Sequence, residues 1–264
     1  MADNWARGDA YERFMGRWSR RVAPQFLDWL DVPKGLRWAD VGCGSGALTA
    51  AVLERAVPVS VLGVDPSPSQ VDEAATGVVD PRATFSRGTA DDLLPGAFDV
   101  VVSGLVLNFV PDPGTAVSWM RLAAPGGVVA AYVWDYAAGM QMLRTFWDTA
   151  TSLNPAVAAL NEGHRFSFTT EEGLVELWIS AGLSDVATTA ITVPTVFEDF
   201  DDFWLPFLGG QGPAPGYVAS LRDADREELR AALETALPID AEGRIPLSAR
   251  AWAVRGTSAA AGVS

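Results

Sequence analysis

Residues 40–46 read Asp-Val-Gly-Cys-Gly-Ser-Gly, between a short apolar run and a segment of helical composition. Glycines at Gly42, Gly44 and Gly46 let a backbone turn sharply and approach a ligand closely, which side chains would prevent. Gly42-x-Gly44-x-x-Ala47 also fits the dinucleotide-binding fingerprint, and a tight strand–helix turn that binds nothing would use the same residues. Asp65 closes a second apolar run, Leu62-Gly63-Val64-Asp65. A carboxylate there can accept from both hydroxyls of a ribose; the other reading is an acid that starts a helix before Pro66. Together the loop and the acid point to a nucleoside-bearing ligand without choosing its class.

The other reactive residue types are sparse. The chain has one Cys, Cys43, and one His, His164. A lone Cys forms no internal disulfide, and a lone His excludes a multi-His metal site, so no metal is expected. His164, in Glu162-Gly163-His164-Arg165, has the intrinsic pKa range of a general base. Asp135 and Tyr136 are the further candidates for that role. The alternative for His164 is an ordinary solvent-exposed loop histidine. The single Lys, Lys34, lies in a turn, so there is no Tyr–Lys pair of the kind an oxidoreductase would use.

These residues must be held by elements that hydrophobic periodicity predicts. Tyr11, Phe14, Met15, Trp18, Val22, Phe26 and Leu30 recur at helical spacing, giving one or two amphipathic helices over 9–30 that end at Pro33-Lys34-Gly35. Strands are expected at 36–41, 57–64, 84–87, 98–103 and 128–134, with helices at 47–54, 67–75 and 112–123 between them. That alternation predicts a mostly parallel sheet covered on both faces by helices. Past Trp134 the rhythm changes. A helical stretch over 140–160 breaks at Pro155. A helix over 169–181 has its one capping-box frame at Thr169 with Glu172. A strand at 184–193, an acidic aromatic helix at 197–208, a charged helix at 224–237 and a last strand at 245–254 follow. Residues 209–216, rich in Gly and Pro, read as a flexible loop able to hinge a lid. The end from Gly256 is small-residue tail.

Composition narrows the partners. The chain has 264 residues, 33 acidic against 19 basic, and a formal charge of −14. Its hydrophobic fraction of 49% suits a large buried core and not a disordered chain. An acidic surface repels phosphate backbones, so no nucleic acid partner is expected. No basic amphipathic stretch or long apolar run suggests a membrane, and the first residues lack a signal-peptide pattern, which makes the cytoplasm the expected location. The partner expected is a small molecule, bound by a monomer or homodimer.

The succession Asp40-x-Gly-x-Gly-x-Gly, Gly63-Val64-Asp65-Pro66-Ser67, Ala90-Asp91-Asp92-Leu93, Phe98-Asp99-Val100-Val101 and Pro125-Gly126-Gly127 resembles class I S-adenosylmethionine (SAM)-dependent methyltransferases. It is most similar to the broad small-molecule group called methyltransferase type 11, related to the ubiquinone-biosynthesis enzymes. The resemblance runs over residues 10–135. It implies a doubly wound, Rossmann-like α/β fold with a seven-stranded, mostly parallel sheet, an antiparallel last strand and helical cap insertions. The implied organisation is a helical lid (1–35), a SAM-binding core (36–136), a cap insertion (137–168), a return to the core (169–194), a second cap insertion (195–244), a final core strand (245–256) and a flexible tail (257–264).

The resemblance also implies roles. Gly42, Gly44 and Gly46 would pack against the methionine part of SAM, with Cys43 in the same loop. Asp40 would hold the amino group, and Asp65, beside Pro66, the ribose. Ala90 and Asp91 would flank adenine, Asp91 accepting from its exocyclic amine. The run Tyr11–Trp18 resembles a lid over SAM, in which Tyr11 would contribute and Arg17 would meet the carboxylate; an ordinary surface arginine is the other reading. Ser103 and Asn108 complete the set. Relatives often carry His after the fourth strand, whereas here the run is Leu105-Val106-Leu107-Asn108-Phe109; Asn108 cannot act as a base near neutral pH, though it can orient a ligand. Trp134, Trp147, Phe203, Trp204 and Phe207 would line an apolar substrate pocket, or form plain core. The activity implied is transfer of the SAM methyl group to a small, partly apolar acceptor by in-line displacement. The alternatives are a SAM binder repurposed from transfer, and an NAD(P)-dependent oxidoreductase.

Overall fold

The computed structural model of the chain describes residues 16–161, 163, 166, 168–209 and 212–260. Tyr11 and His164 lie outside the described residues. The strands are β1 (Arg37–Val41), β2 (Ser60–Asp65), β3 (Ala83–Arg87), β4 (Val100–Gly104), β5 (Val128–Trp134), β6 (Ser184–Phe197) and β7 (Ile245–Thr257). They form one seven-stranded sheet in the order β3-β2-β1-β4-β5-β7-β6. Strands β1 to β5 pair in parallel, with Asp40 beside Gly63 on one side and Val102 on the other. Between β5 and β7 the partners run in opposite senses. The Gly126 N–H donates to the Ala259 carbonyl at 3.1 Å, the Ser258 N–H to Gly127 at 2.9 Å, and the Asp135 N–H to Arg250 at 3.0 Å. The expected α/β fold, mostly parallel with an antiparallel last strand, is the one observed.

The helices of eight or more residues up to the end of β5 are α1 (Val22–Leu30), α2 (Ala47–Arg55), α3 (Pro68–Gly77) and α4 (Pro113–Ala123). After it come α5 (Gln141–Leu153), α6 (Glu171–Ser180), the short α7 (Phe200–Trp204), α8 (Pro213–Ser220) and α9 (Asp223–Ala236). The chain divides into two compact units. The core unit is Arg20–Val133, Phe168–Ile191 and Ala251–Ser264; the second is Met1–Ser19, Trp134–Ser167 and Thr192–Arg250.

In the core unit, successive side chains of a strand point to opposite faces. Ala39 and Val41 of β1, Val101 of β4, and Val129, Ala131 and Val133 of β5 pack with Val117 and Met120 of α4 and Leu174 and Trp178 of α6. The opposite face carries Trp38 and Asp40, with Tyr132 set against Phe26 of α1 at a ring separation of 4.8 Å. Both faces are thus covered, which is why these strands are nearly continuous apolar runs. Trp178 reaches through the core to donate its Nε1–H to the Val129 carbonyl at 3.1 Å.

The second unit is built on aromatic contacts. Phe146 of α5 stacks on Phe207 with centroids 4.5 Å apart, and Phe203 bridges Phe207 and Phe197 at 5.4 and 5.3 Å. Helix α9 packs along α5.

Several local expectations shift. The cap of α6 is Thr170, whose Oγ1 accepts from the Gly173 N–H at 3.1 Å, whereas Thr169 is buried. The expected frame with Glu172 is displaced because the turn closes on Phe168: a Cβ on residue 173 would lie 2.6 Å from the Phe168 Cα, so glycine is needed there. Residues 213–216, expected as loop, open α8, since Pro213 suits the first turn of a helix, where an N–H has no partner to lose. Helix α5 stops at Leu153 because the residue before Pro155 is driven out of the helical region; a 3₁₀ stretch, Pro155–Leu160, follows. The acidic aromatic segment is the short α7 followed by a 3₁₀ turn, Leu205–Gly209, with Asp199 capping α7. No helix among the described residues is long and apolar enough to cross a membrane.

Replacing Trp178 by Phe keeps most of the buried area and deletes its hydrogen bond. Urea unfolding followed by circular dichroism should show a loss of about 1–2 kcal/mol. A loss below about 0.3 kcal/mol would remove that bond from the contributions holding α6 to the sheet.

Candidate functional site

Strand order reverses between β1 and β4, and the crevice outside the carboxyl ends of such strands is where open α/β sheets bind ligands. The glycine loop lies there, between β1 and α2. Its backbone is tied to the neighbouring strand, with the Gly42 and Cys43 N–H groups donating to the Val64 carbonyl at 2.8 and 3.0 Å. The Gly46 N–H then turns back to the Cys43 carbonyl at 2.9 Å. Gly42, Gly44 and Gly46 adopt φ of +72°, +51° and +88°, left-handed values that disfavour any side chain. Their surroundings differ. A Cβ on residue 42 would lie 2.4 Å from Val106, and one on residue 46 would lie 2.8 Å from Val78. One on residue 44 would meet only Gln70, at 3.7 Å. Two of the glycines therefore permit close packing by the protein itself, and Gly44 leaves open space.

Asp40, one residue before the end of β1, is buried under this loop at 1% exposure. Its Oδ2 accepts from the Thr49 hydroxyl of α2 at 2.7 Å, and its Oδ1 has no partner. Burial, opposed by the Thr49 hydrogen bond and reinforced by nearby Asp65, pushes its pKa up to about 7. Burial also pushes the Cys43 thiol up, so it is neutral and inert.

Asp65, at the end of β2, accepts from the Gly44 N–H at 3.1 Å and from the Ser67 N–H at 2.9 Å, the second bond closing a turn over exposed Pro66. The Gly88 N–H donates to the Asp65 carbonyl at 3.1 Å, which brings in the next loop. There Thr89 and Asp92 form a reciprocal capping box around the turn Ala90–Asp92. Asp91 accepts from the Thr89 hydroxyl, and Ala90 is buried. Ser103, at the end of β4, donates its hydroxyl to the Val41 carbonyl at 2.9 Å and so joins the ends of the strands that flank the crevice. Asn108 is buried in a 3₁₀ turn, Leu107–Phe109, just after β4. The structure thus gathers Asp40, the glycine loop, Asp65, the Ala90–Asp91 turn and Ser103 at one edge of the core unit.

The remaining candidates belong to the second unit. Arg17 donates from Nη1 to both oxygens of Asp202, at 2.9 and 3.1 Å, and its guanidinium lies over the rings of Trp18 and Phe197 at 4.5 and 4.8 Å. Asp135 is buried and accepts from the Arg250 Nε–H at 2.8 Å, while its other oxygen takes the Ala138 N–H at 2.9 Å. Tyr136 lies against Phe166. Trp134, Trp147, Phe203, Trp204 and Phe207 are all buried, and ring-to-ring packing accounts for the last four.

Sequence reasoning passed over Thr49, Val106 and Arg250. Thr49 had a signal: it is the one hydroxyl in the apolar run Ala47-Leu48-Thr49-Ala50-Ala51-Val52. Val106 and Arg250 had none, because each meets its partner only through sheet topology.

Residues 39–131 match a family model described as a methyltransferase domain. The 2-methyl-6-phytyl-1,4-hydroquinone methyltransferase of Synechocystis sp. is 28% identical over 204 residues, covering 73% of this chain and 62% of that relative. A ubiquinone biosynthesis O-methyltransferase of Pseudomonas aeruginosa is 33% identical over 116 residues, covering 41% of this chain and 50% of the relative. The chain thus spans about half to three-fifths of the length of these curated relatives. A solved structure of phosphoethanolamine N-methyltransferase 2 from Haemonchus contortus, in complex with phosphomonomethylethanolamine and S-adenosylhomocysteine, shares the fold with a TM-score of 0.56. It has 18% identity over 95% of this chain and 56% of that one. The match to the methyltransferase domain lies across the glycine loop and strands β1 to β5, and there the chain is similar to SAM-dependent methyltransferases.

Proposed function

We propose that the protein transfers a methyl group from SAM to a small, partly apolar organic acceptor, by in-line displacement and mainly through positioning. The observation that carries this reading is the donor and acceptor set at the β1/β4 crevice. Asp40 has a buried oxygen with no partner, which an amino group would satisfy. Gly44 leaves open backbone beside it for the methionine chain. Each oxygen of Asp65 takes one N–H and keeps a lone pair for a ribose hydroxyl. Asp91, on the capped turn, would accept from the adenine amine. The residues present therefore fit SAM.

SAM, when bound, supplies a sulfonium methyl already activated for displacement. The protein's task is to hold the acceptor in line and keep water away, and positioning of that kind contributes up to roughly 7–11 kcal/mol. A dedicated base is not required by this reading. Of the candidates, Asp135 has both oxygens engaged, one of them by Arg250. The names of the relatives, which refer to a phytyl hydroquinone and to ubiquinone biosynthesis, favour an acceptor of partly apolar, aromatic character. The formal charge of −14 favours a small molecule over nucleic acid.

Calorimetric titration tests the reading directly. SAM and its demethylated product S-adenosylhomocysteine should bind, and NADH should not. Binding of NADH alone would overturn it in favour of a dinucleotide enzyme. In the same assay Asp65→Ala should weaken S-adenosylhomocysteine at least about tenfold, as expected when hydrogen bonds to a charged group are lost. Unchanged affinity would take Asp65 out of the ribose site.

A further inference from the structure

Thr49 has no place in the set of cofactor-binding residues, yet it is fully buried and bonded to one of them. Its hydroxyl donates to Asp40 Oδ2 at 2.7 Å, which fixes the rotation of the carboxyl about its last bond. One oxygen is held toward α2. The other, Oδ1, is left under the glycine loop without a donor.

A carboxylate in this position is poorly served. It is sealed from water at 1% exposure, its hydrogen bonds come from Thr49 alone, and Oδ1 has no partner. The titratable groups set against it are Asp65 from the end of β2 and the neutral Cys43 thiol from the loop. Helix α2 contributes the Thr49 hydroxyl and backbone N–H, and on β4 the Ser103 hydroxyl is turned to the Val41 carbonyl. Desolvation and a like charge both favour the neutral acid. An ammonium group placed at Oδ1 reverses that balance, because it supplies the missing donor and an opposite charge together.

Resting on the SAM reading above, we propose that at mildly acid pH Asp40 is protonated in the free protein and loses that proton when the ligand's ammonium group docks at Oδ1, with Thr49 as the positioning residue that leaves Oδ1 free for it. The Asp40 O–H bond breaks, the proton passes to solvent, and the carboxylate then accepts an N–H from the ammonium. Cofactor binding is thereby coupled to release of one proton. The sign follows from a pKa raised to about 7. Asp40's contribution to the free protein's stability is present below the ordinary carboxylate range and is lost as pH rises through about 7. Ligand affinity runs the other way. Below about 7 it falls by up to roughly tenfold per pH unit, because the proton must be expelled, and above that it levels off.

The test is calorimetry with S-adenosylhomocysteine in buffers of different protonation enthalpy. At pH ~6 about one proton should be released on binding, and close to none at pH ~8. Titration with 5′-methylthioadenosine, which lacks the amino-acid part, should release none at either pH. Binding of S-adenosylhomocysteine at pH ~6 with no buffer dependence overturns the coupling and leaves the cofactor assignment standing. Failure of both nucleosides to bind overturns the cofactor assignment as well. Asp40→Asn should bind without proton release. Thr49→Val should move the midpoint of the affinity–pH curve upward by about one unit, and Thr49→Ser should restore it. A Thr49→Val protein that melts lower but keeps the wild-type midpoint would reduce Thr49 to a packing residue.

Discussion

The Val64 carbonyl accepts from the N–H groups of both Gly42 and Cys43, and the arrangement of the site depends on that shared acceptor. It fastens the first turn of the glycine loop to the end of β2. From there the Asp65 carboxylate takes the Gly44 N–H and the Asp65 carbonyl takes the Gly88 N–H. One strand end thus anchors both the glycine loop and the loop that leads into the Ala90–Asp92 turn. The left-handed φ values of the three glycines follow from the path this anchoring imposes.

The same geometry creates a tension. Parallel strands covered on both faces leave little water at their carboxyl ends, yet Asp40 stands there with a carboxyl group. Its hydrogen bonds from Thr49 leave one oxygen, Oδ1, without a partner. Such a group weakens the free protein when ionised and favours a ligand that brings a donor and a positive charge. Unsatisfied polar groups of this kind cluster at functional positions, and Asp40 is such a group.

The second unit shows a different logic. Its aromatic residues bury one another: Phe146 on Phe207, Phe203 between Phe197 and Phe207, Phe200 near Trp204. Arg17 lies over the rings of Trp18 and Phe197 while pairing with Asp202, so its charge is held by side chains of its own unit. Asp135 and Arg250 form a further pair, joined through the antiparallel register that sets residue 135 opposite residue 250. These features explain how a segment lacking a complete sheet of its own can be densely packed.

Period and punctuation in the chain determined the alternating strands and helices to Trp134, the glycine loop at the end of β1 and the acid at the end of β2. These are local properties: apolar runs, glycines where φ is positive, and an acid at a fixed distance from a loop. The rhythm after Trp134 was legible only in part. Where Thr170 caps α6, where Pro213 opens α8 and how far β6 extends depend on which backbone closes against which neighbour. Aromatic spacing also could not separate a pocket wall from a packed core, since both use the same residues. Tertiary structure alone decided that Thr49 meets Asp40, that Val106 fills the space over Gly42, and that Arg250 pairs with Asp135. The last two contacts join residues distant in sequence through strand order, and the first depends on how α2 settles on β1. No pattern of residues within one element encodes such meetings; they arise when separate elements pack.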